Sequence, residues 1–113
     1  MKNLNGMDRK DLVNQYKNRT QIGGVFAVKN TVLNKWYVDC AADLAATRNR
    51  FSFMGDSFLK IAKDYNGQKG EGFEFEVLEE LHKGETQSDE EFHDDLALLK
   101  SLWLEKLDGQ DLY

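Results

Sequence analysis

The sequence predicts an α+β domain in which three β-strands pack against helices. Two observations predict this class. Two β-branched and aromatic runs are separated by a short polar segment, which is typical of a β-hairpin. Apolar residues at helical spacing occur before the hairpin, after it and near the end of the chain. The 113 residues fit one domain, residues 1–113, with the predicted element order α-β-β-α-α-β-α.

The first half of the chain is predicted to form a helix and the hairpin. Residues 8–17 carry apolar side chains at helical spacing behind a possible aspartate cap, which predicts a short amphipathic helix. The glycine pair Gly23-Gly24 is expected to end the loop that follows. Residues 25–29 and 36–38 are the two predicted strands, and residues 30–35 are the polar turn between them.

Two further helices are predicted before the third strand. Asp43 is placed to cap a helix that runs from Leu44 to about residue 53, and Gly55 should end it. Asp56 is then expected to cap a second helix. The apolar side of that helix would carry Phe58, Leu59, Ile61, Ala62 and Tyr65.

The last two elements are predicted from two different periodicities. Residues 73–78 alternate apolar and acidic side chains, which predicts a strand with one solvated face. Residues 88–107 are predicted to form a long helix, and Ser88 with Glu91 matches a capping box at its start. The inner face of this helix would carry Phe92, Leu96, Leu99 and Trp103.

Composition excludes several classes of protein. A single cysteine, Cys40, excludes a disulfide framework and a zinc site of the CxxC type, and we expect it to be an unreactive packed thiol. No apolar run is long enough for a membrane span, and residues 1–10 contain no hydrophobic signal core. We therefore expect a cytoplasmic protein that does not bind membranes.

Charge is distributed unevenly along the chain. The net charge is −5, yet residues 1–50 carry nine Lys or Arg against four Asp, whereas residues 51–113 carry six Lys against sixteen acidic residues. The basic half could contact a nucleic acid. The alternative is that both halves form oppositely charged solvated faces, which keep the protein in solution.

The acidic run at residues 88–95 is the densest group of potential metal ligands. A metal site here would use Glu91, His93 and either Asp94 or Asp95. A helix start explains the same residues, because carboxylates in the first turn complement the helix dipole. His82 is expected to lie in the loop after the third strand.

The hairpin carries the most specific pattern in the sequence. Gly24-Val25-Phe26 is followed about ten residues later by Tyr37-Val38-Asp39, and Asp43-Leu44 then opens a helix. This pattern resembles the GIY-YIG nuclease family. The resemblance covers nearly the whole chain, from about residue 10 to residue 107, and it is to the small stand-alone bacterial members of the family. It implies a three-stranded antiparallel sheet flanked by helices and a hydrolysis of DNA phosphodiesters that depends on Mg²⁺ or Mn²⁺.

Several positions that carry catalysis in the family are replaced in this chain. Tyr37 retains the tyrosine of the second motif, whereas Phe26 replaces that of the first and has no hydroxyl. Asp39 stands where the second motif has a glycine. Thr47 stands at the arginine position, and Arg48 is adjacent but one helical step away. Lys100 stands at the position of the metal-binding glutamate, where an ammonium would repel a divalent cation.

These replacements predict a protein that has the nuclease fold, has lost catalysis and acts as a nucleic-acid-binding or protein-binding module. Lys35, Arg48 and Arg50 are the candidate nucleic-acid contacts, and no cofactor is expected. The alternative is an active endonuclease with a rearranged centre. That centre would combine Tyr37, Arg48 or Arg50, and Glu105, with Mg²⁺ or Mn²⁺ bound.

A further alternative needs no nuclease ancestry. The acidic half, with its alternating strand at residues 73–76, could dock a basic protein or form a homodimer edge. The protein is accordingly expected to be a monomer or a weak homodimer, with DNA or another protein as its partner.

Overall fold

A computed structural model describes residues 21–113, and the helix predicted over residues 8–17 lies outside this range. The α+β class and the antiparallel three-stranded sheet are confirmed. The described elements are β1 (Ile22–Asn30), β2 (Lys35–Ala41), α1 (Leu44–Met54), a 3₁₀ turn (Gly55–Ser57), α2 (Ala62–Gly67), β3 (Phe73–His82) and α3 (Asp89–Lys106).

The sheet has the strand order β2-β1-β3, with both pairs antiparallel. Val28 therefore lies between Tyr37 on β2 and Phe75 on β3. The register shifts in β3, where Phe26 pairs with Val77 but the preceding residue of β1 pairs with Glu79. This β-bulge changes which side chains of β3 share a face on either side of it.

The strands extend further than the sequence predicts. Gly23 and Gly24 lie inside β1, not at the end of a loop, and His82 is the last residue of β3 and not part of the following loop. The backbone approach between strands explains the glycines. Gly24 has φ +154°, and a Cβ there would collide with the carbonyl oxygen of Glu79.

Successive side chains of β1 point to opposite faces of the sheet, and each face carries a hydrophobic core. Phe26 and Val28 face α1 and the segment around α2, where they pack with Leu44, Phe58 and Ile61. The neighbouring β1 residues face α3 instead. That second core consists of Val25, Ala27 and Val38, with Leu99 and Trp103 among the side chains packed on it.

The chain between α1 and α2 differs from the prediction. Asp56 lies in the 3₁₀ turn and caps no helix, and α2 begins after Ile61 without a side-chain cap. Gly55 packs directly under the ring of Tyr65, and Phe58 adopts an extended backbone. Because helical periodicity does not apply here, Leu59 points outward and is 87% exposed, contrary to the predicted apolar side.

The long C-terminal helix follows the prediction closely. The Ser88 hydroxyl accepts a hydrogen bond from the Glu91 N–H, and the Glu91 carboxylate accepts one from the Ser88 N–H, so the capping box is confirmed. Phe92 and Leu96 are buried on its inner face. None of the helices in residues 21–113 combines the length and apolarity needed to cross a membrane.

The last residues of the chain cover part of the outer edge of β2. The Trp36 N–H donates to the carbonyl of Asp111 at 2.9 Å, and the Tyr113 N–H donates back to the carbonyl of Trp36 at 2.8 Å. The Tyr113 hydroxyl accepts from the buried Asn30 amide at 2.9 Å. This edge of the sheet is therefore paired within the molecule.

Candidate functional site

The positions that the GIY-YIG resemblance identifies meet at the edge strand β2. Tyr37 and Asp39 are two residues apart and therefore project on the same face of the strand. The Tyr37 hydroxyl donates to Asp39 Oδ2 at 2.6 Å, and the Cys40 N–H donates to Asp39 Oδ1 at 2.8 Å. The carboxylate of Asp39 is thus held in one orientation by its own strand.

Lys100 reaches the same carboxylate from α3. Its Nζ lies 3.2 Å from Asp39 Oδ1, and the side chains of Lys100 and Asp39 are 36% and 34% exposed. Asp39 is therefore shared between a phenol on one oxygen and an ammonium on the other. The motifs identify Asp39 and Lys100 as two separate replacements, and the structure joins them in one ion pair.

The protonation states of this group follow from its surroundings. Burial raises the pKa of Tyr37 far above its ordinary range, and the hydrogen bond to Asp39 raises it further. Burial also acts to raise the pKa of Asp39, but the hydrogen bonds from Tyr37, the Cys40 N–H and Lys100 outweigh it, and that pKa is lowered. At neutral pH the site holds a neutral phenol, a carboxylate and an ammonium.

Cys40 follows Asp39 on the strand and faces the opposite core. It is a free, half-buried thiol packed with the residues under α3. Burial raises its pKa, and the negative charge of Asp39 adds to the effect. A thiol with a raised pKa is a poor nucleophile at neutral pH.

Phe26 is a core residue in the structure. It is 2% exposed, its ring stacks on Phe75 with the centroids 5.0 Å apart, and it meets Tyr37 edge-on at 6.2 Å. A side chain in this position touches no solvent. The first-motif position therefore supports the sheet from within.

The residues of α1 divide between structural and exposed positions. The Thr47 hydroxyl donates to the carbonyl of Asp43 at 3.0 Å, so its hydrogen bond is made within the first turn of α1. Arg48 and Arg50 are exposed, and their guanidinium carbons lie 5.3 Å from the ring centre of Phe75 and 4.3 Å from that of Phe58. The two arginines are thus held over aromatic rings at the surface.

The structure places Arg48 and Glu105, two residues of the alternative rearranged nuclease centre, in separate pockets. Arg48 lines a pocket of about 550 Å³ between α1 and β3, with Val77 and Glu80 in its wall. Glu105 lines a separate pocket of about 400 Å³ beside α3. Because α1 and α3 pack on opposite faces of the sheet, the two side chains lie on opposite sides of the molecule.

The other predicted sites are equally dispersed. Lys35 lies with its Nζ 4.8 Å from the ring centre of Tyr113, near the C-terminal segment. The carboxylate of Glu91 serves the capping box. Within residues 21–113, no three His, Cys, Asp or Glu side chains are grouped in a way that could hold a metal ion.

Comparisons of the chain with protein-family models, curated proteins and solved structures find no match. The GIY-YIG resemblance therefore rests on the motifs around Phe26 and Tyr37 and on the order of the elements. What the geometry adds is independent of any relative. It is the hydrogen-bonded group of Tyr37, Asp39 and Lys100, together with an exposed basic surface on α1.

Proposed function

We propose that this chain is a GIY-YIG-like protein that has lost the hydrolytic centre and binds nucleic acid. The observation that carries the proposal is the ion pair between Lys100 and Asp39. A metal-dependent nuclease of this fold would hold a cation at the position of Lys100. An ammonium 3.2 Å from the carboxylate occupies that space and neutralises the charge that a cation would need.

The remaining catalytic requirements support the same proposal. Hydrolysis of a phosphodiester needs a group that can accept or relay a proton beside the attacking water. The Tyr37 hydroxyl donates a hydrogen bond to Asp39, and its raised pKa keeps it a neutral phenol. Phe26 offers no hydroxyl at the other motif position. Neither side chain could therefore act as a base at neutral pH.

The surface formed by α1 and the turn that follows it supports nucleic-acid binding. We call this the α1 face; residues 44–63 carry four cations against one aspartate, and all four cations are exposed: Arg48, Arg50, Lys60 and Lys63. Phe53 is 85% exposed on the same helix. Cations that neutralise phosphates, next to an aromatic ring on which a base can stack, are typical of single-strand binding surfaces.

The test combines a hydrolysis assay with a binding titration. Purified protein would be incubated with plasmid and with single-stranded and double-stranded oligonucleotides, in Mg²⁺ or Mn²⁺. We expect no cleavage, and we expect binding to a labelled single-stranded oligonucleotide that weakens as salt increases. Cleavage that disappears in Tyr37→Phe would overturn the loss of catalysis and favour the rearranged endonuclease.

Matched variants would assign the binding to the α1 face. Arg48→Ala and Arg50→Ala should each weaken oligonucleotide binding and reduce the slope of log affinity against log salt by about one. Lys106→Ala, which removes a cation from α3 on the opposite face, should leave binding unchanged. If all three variants bind alike, the α1 face is not the binding surface.

A further inference from the structure

The two edge strands of the sheet, β2 and β3, differ in the backbone pairing of their outer edges. The edge of β2 is paired at Trp36 with residues 111–113. Within residues 21–113, β3 pairs only with β1, so its outer edge presents a row of backbone N–H and C=O groups without strand partners. Such an edge is a template for the addition of another strand.

The side chains of β3 define what could pair with that edge. Phe73 and Phe75 are half-buried and face the core under α1, whereas Glu74 and Glu76 are exposed on the other face. The glutamates face Lys29 of β1, whose Nζ lies 3.0 Å from Glu76. An added strand would place its own residues beside these, apolar next to Phe and charged next to Glu.

A second copy of this chain does not fit the edge. Pairing of β3 with itself would bring glutamates of both copies together on one face, which is unfavourable at neutral pH. The chain from Phe73 to Tyr113 carries thirteen carboxylates against three lysines, so the repulsion would not be confined to the strand. Cationic side chains of a partner would complement this predominantly acidic surface.

The surface continues beyond the end of the alternating segment. Glu79 accepts a hydrogen bond from the Trp103 indole at 2.8 Å and forms one wall of the pocket of about 400 Å³ beside α3. Leu102, 46% exposed, and Glu105 line the same pocket. Lys106 lines this pocket too, so this end of the surface carries both signs of charge beside an apolar contact.

We infer that the outer edge of β3 binds an extended segment of a partner protein in which Lys or Arg alternates with apolar residues. The glutamates of this edge lie on the face of the sheet opposite the α1 face, and the inference goes beyond the proposed nucleic-acid binding. Affinity would come from main-chain hydrogen bonds to β3, and specificity from cations beside Glu74 and Glu76.

The probe is a labelled ten-residue peptide of alternating lysine and valine, with an alternating glutamate and valine peptide as its control. Fluorescence anisotropy should show saturable binding of the first peptide and none of the second, and the binding should weaken in high salt. Glu74→Gln combined with Glu76→Gln should weaken binding roughly five- to tenfold, because two cross-strand charge pairs are lost. The matched control is Glu71→Gln combined with Glu85→Gln, two exposed loop glutamates, and it should bind like the wild type.

A second measurement separates strand addition from charge attraction alone. A lysine and valine peptide that is N-methylated at every second residue keeps its charge but cannot form a continuous ladder, and it should lose binding. Equal binding of the methylated peptide, or of the two double variants, would overturn the inference. So would a stable dimer in sedimentation analysis whose formation prevents peptide binding. Arg50→Ala, whose guanidinium lies over Phe58 and not over a residue of β3, should bind the peptide normally, so failure of the nucleic-acid proposal would not affect this result.

Discussion

Neutralising both members of the Asp39 and Lys100 ion pair should destabilise the protein less than the sum of the two single changes. Asp39→Asn removes the charge but keeps an oxygen that can accept from Tyr37 and from the Cys40 N–H. Lys100→Met keeps most of the aliphatic stem. The two single variants, the double variant and the wild type therefore form a cycle that isolates the charge pair.

The expected coupling energy follows from the geometry of the pair. Two unit charges 3.2 Å apart attract by about 1.3 kcal/mol at the dielectric constant of water and by about 5 kcal/mol at an effective value of about 20. Both side chains are about one-third exposed, so solvent screening places the energy toward the lower figure. Holding the lysine side chain in one conformation costs up to about 2 kcal/mol of entropy. We expect a coupling of about 1 kcal/mol.

Urea unfolding of the wild type, the two single variants and the double variant at neutral pH would measure this coupling energy. The control is the ion pair between Lys83 and Asp89, which has a similar distance of 3.1 Å, but Asp89 is 82% exposed. The cycle of Lys83→Met and Asp89→Asn should give a coupling below about 0.5 kcal/mol. If the Asp39 and Lys100 coupling is no larger than that of the control pair, the two residues act independently and the ion pair does not close the site.

Three other predictions test separate features. Folding lowers the pKa of Asp39, so its stabilising effect is complete above the unfolded value of about 3.9 and is lost as pH falls through the folded value. The difference in unfolding free energy between wild type and Asp39→Asn should therefore shrink below about pH 4 in urea titrations; a constant difference would contradict this. Phe26→Tyr should lower stability by about 1 to 3 kcal/mol in the same assay without producing hydrolysis, because its hydroxyl would enter a site only 2% exposed. Ser88→Ala should cost about 1 kcal/mol through loss of the cap, whereas Ser101→Ala, a mid-helix control, should cost almost nothing; equal effects would argue against the capping box.

The elements that could be predicted from the sequence are those fixed by local chemistry. The capping box at Ser88 needs only residues three positions apart, and the inner face of α3 follows from apolar spacing over one helix. Two β-branched and aromatic runs predict the hairpin. Each of these features depends on residues that are close together along the chain, so the local sequence pattern is enough to predict it.

Features that depend on distant contacts could not be predicted in the same way. The turn at Gly55 is set by the ring of Tyr65, which occupies the space that a Cβ would need. The pairing of Trp36 with the C-terminal segment joins residues more than seventy positions apart. Leu59 matched a helical pattern, but the backbone around it is not helical, so the pattern had no physical basis there.

In the candidate site, too, some features could be predicted from the sequence and others could not. The positions Phe26, Tyr37, Thr47 and Lys100 come from the resemblance to the GIY-YIG motifs, and that resemblance implies a chemical consequence for each replacement. The contact between Lys100 and Asp39 could not, because it depends on the angle at which α3 crosses the sheet. The sequence does contain a hint of this contact, because a lysine and an aspartate stand at two positions of the same motif set. Opposite charges alone, however, do not show that the two side chains are close together.

A net charge of −5 would ordinarily argue against binding to a polyanion, and the arrangement of charge around the sheet removes that objection. The Asp39 and Lys100 charges neutralise each other at the edge of β2. Most of the remaining negative charge lies on β3 and α3, whereas the α1 face carries four cations against one aspartate. The carboxylates of α3 lie across the sheet from the α1 face, and because a helix alone is about 10 Å across, they are farther away than the screening length of about 8 Å at physiological salt. Glu80 of β3 is the exception, since it lines the same pocket as Arg48. A phosphate approaching the α1 face therefore responds mainly to the charges around Arg48 and Arg50, and that local charge decides whether it binds.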